Sequence, residues 1–590
     1  MPIINDLSIK IGGEAGQGVE SSGAGFAKAL ARAGLWIYGL QDYMSRIRGG
    51  HNFYQVRVSD HELWTFRDAV HMLLPLTTEA VERHWREIVP GGAVLYDVGL
   101  KFDEAPLRER GIKLFAMPLM KIAEQQGGNR IMMNTAALGA VAGITEFDFA
   151  YIADIIETNF KRKGAAVVES NLKVARYAYD AGQEQFAADF DWKLVARPGP
   201  KRMVINGNQA LALGAIAAGC RFISGYPMTP ATSILEYMNA KARQFGIVTK
   251  QTEDEIAALL MAIGAAHAGV RAMTATSGGG FCLMTEALGF AGCTETPVVI
   301  VDAQRAGPST GLPTRTEQGD LEFVLHASHG EFPRIVLTPG TIEECFYAGA
   351  RAFNLAEKYQ CPVIIMQDLT QSNSIRAIDL DRFDFASIRI DRGALLTPEE
   401  LDRLPDGYRR HLVTPDGISP RAVPGHPKAV YVTTGDEHTD QGYITEEADI
   451  RRAQMDKRMR KLETARAEMR LPVRYGPQDA ELTFVGWGST YGAIREAVDI
   501  LNAAGTRANQ LHFMEVWPLD WERVRALLDE ARSLVLVEQN YSGQLGNVLR
   551  TYTGKTMDKK ILKYDGRPIS PDEIVAGVRG EVREEVRVYA

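Results

Sequence analysis

Residues 223–238, ISGYPMTPATSILEYM, are followed by QTEDEIAALLMAIGAAHAG (251–269), TATSGGGFCLMTEALG (274–289) and VVIVDAQRAGPSTGLPTRTEQGD (298–320). Each stretch joins a short β-branched run to a Gly- or Pro-rich turn and then to an Ala- and Leu-rich segment. Strand, turn and helix repeating in this order define a parallel sheet wrapped by helices. Loops at the carboxyl ends of such strands are where open α/β sheets take ligands. The four loops of 223–339 are therefore the candidate site.

In the first loop, Tyr226-Pro227-Met228-Thr229-Pro230, two prolines fix φ and restrict their neighbours, so the Thr229 hydroxyl is held on stiff backbone. The alternative is a plain turn into a helix beginning near Ala231. Thr252 and Glu255 stand at capping-box spacing. Glu255 is then either a helix cap or a carboxyl at the mouth of an apolar core, with a pKa raised by desolvation. The helix that follows, Ile256–Ala266, is apolar nearly all round, which predicts burial on every side. Thr276–Gly280 lies between a strand at 272–275 and a helix at 281–291. Its glycines admit close approach of a ligand, and the helix start favours an anion. It matches neither a P-loop nor a dinucleotide fingerprint. Arg305 follows a strand at 297–301, a position suited to a carboxylate, although a plain surface role is the usual one for an Arg. Ser309, Thr310 and Thr314 add hydroxyls.

Together YPMTP, the Glu255 helix start, TSGGG and QRAGPSTGLPT resemble the α subunit of the 2-oxoacid:ferredoxin oxidoreductases, and within it the 2-oxoglutarate type. The resemblance implies thiamine diphosphate chemistry: decarboxylation of a 2-oxoacid, acyl transfer to coenzyme A, and electrons passed to ferredoxin. It implies Glu255 as the catalytic carboxyl that engages the cofactor's pyrimidine ring, with Tyr226, Pro227, Ser277 and Gly278 lining the cofactor. It implies Thr229, Arg305 and Thr314 around the substrate. Met228 replaces the Ile common in that loop, a volume-conserving change.

Length and composition agree with a large enzyme. The 590 residues suggest about three domains, and 45% apolar with 24% charged residues supply several cores. A net charge of −8 argues against a nucleic-acid binder. The start MPIINDLSIK lacks the regions of a signal peptide, and no apolar run approaches a membrane helix, so a cytoplasmic chain is expected. The five cysteines (220, 282, 293, 345 and 361) form no C-x-x-C, so no cluster or disulfide framework is expected on this chain.

Residues 1–190 read as a first α/β domain opening with LSIKIGGEAGQGVESSGAGFAKALARAG (7–34), a strand, a glycine turn and a helix. Its glycines do not fit G-x-G-x-x-G, because Ser21 stands at the third position. This stretch and MSRIRGGHNFYQVRVS (44–59) resemble the γ domain of the same family, which is associated with coenzyme A. Gly16 and Gly18 are candidates to cradle that ligand, and Arg46 and Arg48 to meet its phosphates; packing at a subunit interface is the alternative. Residues 191–202 read as a linker and 203–375 as the pyrimidine-binding domain. Residues 376–475 read as a long connection ending in a charged helix near 444–470, most simply a solvated face or an inter-subunit arm. Residues 476–590 resemble the transketolase C-terminal type of domain. The expected fold class is thus α/β, with three parallel-sheet domains.

Two ingredients of a complete thiamine enzyme are missing. No GDG with a downstream Asn is present to hold Mg2+ and diphosphate, Gly435-Asp436-Glu437 lacking the second glycine. Cysteine ligands for a [4Fe-4S] cluster are missing too. The resemblance places both on a β subunit, which implies an (αβ)2 assembly and a chain inactive alone. Pyruvate, branched-chain or aryl oxoacids remain alternative substrates. A non-redox thiamine decarboxylase relative and a non-catalytic scaffold are the alternatives of other classes.

Overall fold

The computed structural model describes residues 1–45, 49–404, 407–581 and 586–589. Two compact units emerge: Met1–Ile205 with Asn373–Arg382, and Asn206–Ser372 with Phe383–Ala590.

In the first unit, Leu7–Glu14, Val70–Pro75, Ile88–Asp97 and Lys113–Met117 pair in parallel. On the other side of Leu7–Glu14, the strands His51–Ser59, Trp36–Asp42 and Ile375–Asp379 run antiparallel in succession. This sheet is therefore mixed rather than parallel as expected. Trp36–Asp42 and His51–Ser59 are joined too closely for a helical crossover, and a short connection enforces antiparallel pairing. The strand Ile375–Asp379 comes from the point where the sequence reading ends one domain and begins a connection. The core packed on this sheet is mainly aliphatic and includes Phe26, Phe147 and Phe190, each at most 1% exposed.

The second unit contains two sheets. The central one has the order Val248–Gln251, Phe222–Gly225, Ala272–Thr276, Val298–Gln304, Pro362–Asp368, Ile335–Leu337 and Glu515–Trp517. All neighbours are parallel except the last, an antiparallel edge strand donated by the C-terminal lobe. The C-terminal lobe carries its own six-stranded sheet around Leu482–Trp487, Ala508–Phe513 and Leu534–Glu538. Parallel strands buried on both faces read as continuous apolar runs, and every residue of Val298–Gln304 and Pro362–Asp368 is buried. Among the described residues no helix is long and apolar enough to cross a membrane.

The charged helix, Ala448–Arg466, departs from the solvated face expected of it. Lys457 and Lys461 are at most 1% exposed. Their ammonium groups close on the fully buried Glu295, with Lys457 Nζ at 2.6 Å from Oε1 and Lys461 on Oε2. Arg410 donates to the Glu295 carbonyl (2.6 Å), and His411 Nδ1 stands 3.0 Å from Oε1. Burial alone pushes the Glu295 carboxyl up, but Lys461 and Lys457 outweigh it and hold the pKa well below the usual range. Burial pulls the Lys457 ammonium down to about 8, against the pull of Glu295. Glu295, His411 and His438 present ligand-type atoms within 4.8 Å of one another. Two ammonium groups already occupy that carboxylate, so the cluster is an ion-pair lock and not a metal centre. The lock straps residues 383–466 onto the central sheet.

Candidate active site

Register brings the four loops together. Ser224 pairs with Thr274, Thr276 with Asp302, and Gln304 with Asp368, so the parallel strands all deliver their carboxyl ends to one edge of the sheet, staggered from strand to strand.

Glu255 opens the helix Glu255–His267 rather than capping it. The cap is Asp254, whose side chain accepts from the Ala257 amide at 2.8 Å, while the Thr252 hydroxyl donates to the Asp254 carbonyl. The carboxyl of Glu255 is thereby released for another use. It is 3% exposed, and its Oε1 is buried without a hydrogen-bond partner. Burial pushes its pKa up. An unpaired buried carboxyl costs about 1–3 kcal/mol or more, a strain expected where a ligand donor is to sit. A Cβ on Gly280 would stand 2.6 Å from Glu255 Oε1 and 2.0 Å from Thr276 Oγ1, so only glycine leaves this carboxyl in place.

Arg305 emerges directly after the strand Val298–Gln304. Its Nη1 donates to the Thr229 carbonyl at 2.9 Å, tying the first loop to the fourth. Burial pulls the guanidinium pKa down while the Glu255 carboxyl opposes that pull, and Arg305 in turn opposes the upward push on Glu255. A buried acid and a guanidinium are therefore in electrostatic reach around the YPMTP turn. Tyr226 is 39% exposed and Pro227 is exposed, at the rim. Ser277 precedes the helix Gly278–Leu283, is fully buried, and keeps an unpartnered Oγ. Thr314 is buried, and its carbonyl accepts from Arg315 at 3.4 Å. Its loop is closed by the Ala306 amide on the Arg315 carbonyl (3.1 Å) and the Leu312 amide on the Ala306 carbonyl (2.9 Å).

Sequence reasoning missed a buried acidic floor. Asp302 is fully buried with both oxygens unpartnered, and burial followed by the Asp320 charge drives its pKa well up. Asp320 is raised by burial to about 6, and Glu317, by burial and then Asp320, to about 7. Asp320 Oδ2 lies so close to Gly278 that a Cβ there would meet it at 2.4 Å. A lone aspartate inside VVIVDAQ was the available signal.

The helix expected to be buried on all sides is not. Ile256 is 46% exposed, and Leu260 and Met261 are each 42% exposed. Ala258, Leu259, Ala262 and Ile263 face the core instead. Nothing in the described chain covers the outer apolar face, which is why an all-round apolar pattern misleads here.

In the first unit Gly16 and Gly18 form the turn before the helix Val19–Arg32, with φ of 92° and 75°. Arg46 and Arg48 lie outside the described residues.

Comparison with known proteins gives the class. The family of pyruvate flavodoxin/ferredoxin oxidoreductase thiamine-diphosphate-binding domains matches residues 213–457, and that of pyruvate ferredoxin/flavodoxin oxidoreductase matches residues 8–181. The α subunit of 2-oxoacid:ferredoxin oxidoreductase 2 from Aeropyrum pernix is 34% identical over 97% of each chain. The 2-oxoglutarate synthase subunit KorA of Methanothermobacter marburgensis is 35% identical over 64% of this chain and 98% of its own. Among solved structures, the 2-oxoglutarate:ferredoxin oxidoreductase of Magnetococcus marinus, determined with 2-oxoglutarate, coenzyme A and succinyl-CoA bound, superposes with a TM-score of 0.90 at 33% identity. That match covers 98% of this chain and 100% of that one. The chain belongs to the 2-oxoacid:ferredoxin oxidoreductase α subunits, in the form that fuses the γ and α parts. It is an enzyme subunit of a family that binds thiamine diphosphate.

Proposed function

We propose that the chain is the α subunit of an enzyme converting 2-oxoglutarate and coenzyme A to succinyl-CoA and CO2 with reduction of ferredoxin, by chemistry reversible at the same site. The observation that carries this is the unpartnered Oε1 of buried Glu255, set in electrostatic reach of the Arg305 guanidinium. Thiamine diphosphate, when bound, supplies the nucleophilic carbon and the electron sink for decarboxylation. Glu255 fits it: a carboxyl with raised pKa and a free oxygen is the group that would hydrogen-bond the pyrimidine nitrogen and hold a proton there. Ser277 and Gly278 fit a close ring contact, and Tyr226 and Pro227 form its rim. Arg305, Thr229 and Thr314 bind and orient the oxoacid. Arg315, adjacent to Thr314, brings a second guanidinium to the same loop, chemistry that suits a dicarboxylate. The full-length likeness to a 2-oxoglutarate enzyme points the same way. Gly16 and Gly18, with Arg46 and Arg48, are proposed for coenzyme A.

The open apolar face of Ile256, Leu260 and Met261 beside Glu255 supports a shared site. A β subunit with the GDG motif for Mg2+ and diphosphate, and with cysteines for a [4Fe-4S] cluster, completes it in an (αβ)2 enzyme. The test is anaerobic. The chain is purified from its own cells with what binds it, and coenzyme-A-dependent viologen reduction is measured with 2-oxoglutarate and with pyruvate. Turnover of 2-oxoglutarate with an iron-containing second chain is expected. Turnover of pyruvate alone overturns the substrate, and full activity of the isolated chain overturns the assembly.

A further inference from the structure

We propose that Gln318 is a positioning residue through which the C-terminal lobe sets the geometry of the substrate loop. The inference rests on the reading of Arg305 and Thr314 as substrate-binding groups. Gln318 is fully buried in the loop that runs from Arg305 to Asp320. Every one of its polar atoms is paired with the C-terminal lobe. Its backbone amide donates to the Gln539 carbonyl at 2.7 Å. Its backbone carbonyl accepts from Asn540 Nδ2 at 3.0 Å. Its Nε2 donates to the Trp487 carbonyl at 2.8 Å, and its Oε1 accepts from the Gln539 amide at 3.0 Å.

The acceptor turns are themselves fixed. Glu538 takes the Trp487 indole N–H at 2.6 Å and the Leu545 amide at 3.0 Å, and Asn540 Oδ1 accepts from the Gly543 amide at 2.7 Å. On the loop side the same segment meets the central sheet. The Asp320 amide donates to Gln304 Oε1 at 3.0 Å, and the Thr316 hydroxyl to Asp368 Oδ1 at 3.1 Å. Gln544 adds a donor to the Gly319 carbonyl at 2.7 Å and an acceptor for the Glu322 amide at 3.0 Å. A loop that carries a substrate guanidinium at one end is thus clamped at the other between two lobes. No bond within its own sheet replaces the four that Gln318 makes. Loss of the two side-chain bonds leaves residue 318 on its backbone bonds and its neighbours on the Thr316–Asp368 and Ala306–Arg315 bonds, so the segment 312–318 is loosened and displaced, and Thr314 with it, while Glu255 keeps its own support.

The test uses the assembled enzyme carrying Gln318→Met, which keeps the volume and removes the side-chain bonds, and Gln318→Glu, which keeps the acceptor for the Gln539 amide. Gln318→Met is expected to raise the KM for the oxoacid about tenfold or more, with the KM for coenzyme A and the bound thiamine diphosphate unchanged. Gln318→Glu sets an acceptor against the Trp487 carbonyl in a fully buried place and is expected to raise the oxoacid KM at least as much as Gln318→Met. On an Arg305→Ala background Gln318→Met is expected to add little, because both act through one loop. A fall in melting temperature and in active fraction with an unchanged oxoacid KM makes Gln318 merely structural and overturns the proposal. An Arg305→Ala enzyme with an unchanged oxoacid KM overturns instead the reading of the site on which the proposal rests.

Discussion

Arg305 Nη1 reaches the carbonyl of Thr229 across 2.9 Å, so two loops separated by 76 positions in sequence share one hydrogen bond at the site. The guanidinium both ties down the YPMTP turn and stays within electrostatic reach of the Glu255 carboxyl.

Replacing Arg305 therefore acts twice. Arg305→Ala is expected to raise the oxoacid KM about 10- to 100-fold, the worth of a hydrogen bond to a charged group. Arg305→Lys recovers charge but not the fork, and is expected to recover only part of the loss. Steady-state kinetics of the assembled enzyme with 2-oxoglutarate measures both.

Glu255→Gln removes the carboxyl proposed to hold the proton and keeps its shape. The expected result is a loss of about 10²- to 10⁴-fold in kcat. Thermal stability of the free chain should hold or rise, since an unpaired buried acid is gone. A variant with unchanged turnover contradicts the assigned role.

On the outer face of the same helix, Leu260→Glu is expected to leave the chain folded, with a stability change within about 0.5 kcal/mol for an exposed position. Capture of the β partner and all turnover should be lost together. Gel filtration of co-expressed chains reads the outcome.

The buried lock makes a sharper stability prediction. Lys461→Met leaves Glu295 short of one ammonium in a fully buried place and is expected to cost about 3–5 kcal/mol. Adding Glu295→Gln to Lys461→Met should deepen the loss, because the buried Lys457 ammonium then loses the carboxylate 2.6 Å away. Denaturant melts of the single and double variants decide it.

The acidic floor predicts a pH dependence. Asp302 and Asp320 have raised folded pKa values, Asp320 about 6, so between the unfolded value near 3.8 and about 6 the folded chain holds more protons than the unfolded one. The stabilisation these two carboxyls contribute is thus fully present below the unfolded value and is lost as pH rises through this window. Asp320→Asn is expected to flatten the decline, measured as melting temperature at pH 5 against pH 8.

Much of this was legible in order along the chain. The strand and turn texture around Ile223, Ala272 and Val298 placed four loops correctly, because parallel strands need apolar runs and their ends need Gly or Pro. Glu255 stood out by its neighbours, but whether it capped its own helix depended on Asp254, one residue away, and spacing cannot rank two caps. The short connection between Trp36–Asp42 and His51–Ser59 dictates their antiparallel pairing locally, whereas the pairing of His51–Ser59 with Leu7–Glu14 is a long-range choice. The charged helix misled because lysines signal water in general, and only the distant Glu295 reverses that. Gln318 carried no signal, since its partners lie more than a hundred residues downstream.

The strap that ends in Lys457 and Lys461 responds to temperature by a different rule from the sheets it covers. Stripping water from an ion becomes less costly on warming, because the hydration of charge is entropically unfavourable. Apolar burial, by contrast, weakens on cooling. A segment fastened by ammonium groups on one carboxylate gains relative to the cores as the solvent warms, and chilling does not loosen it by the route that loosens them. This part of the chain therefore follows the thermal habits of an ionic clasp within an otherwise oil-like interior.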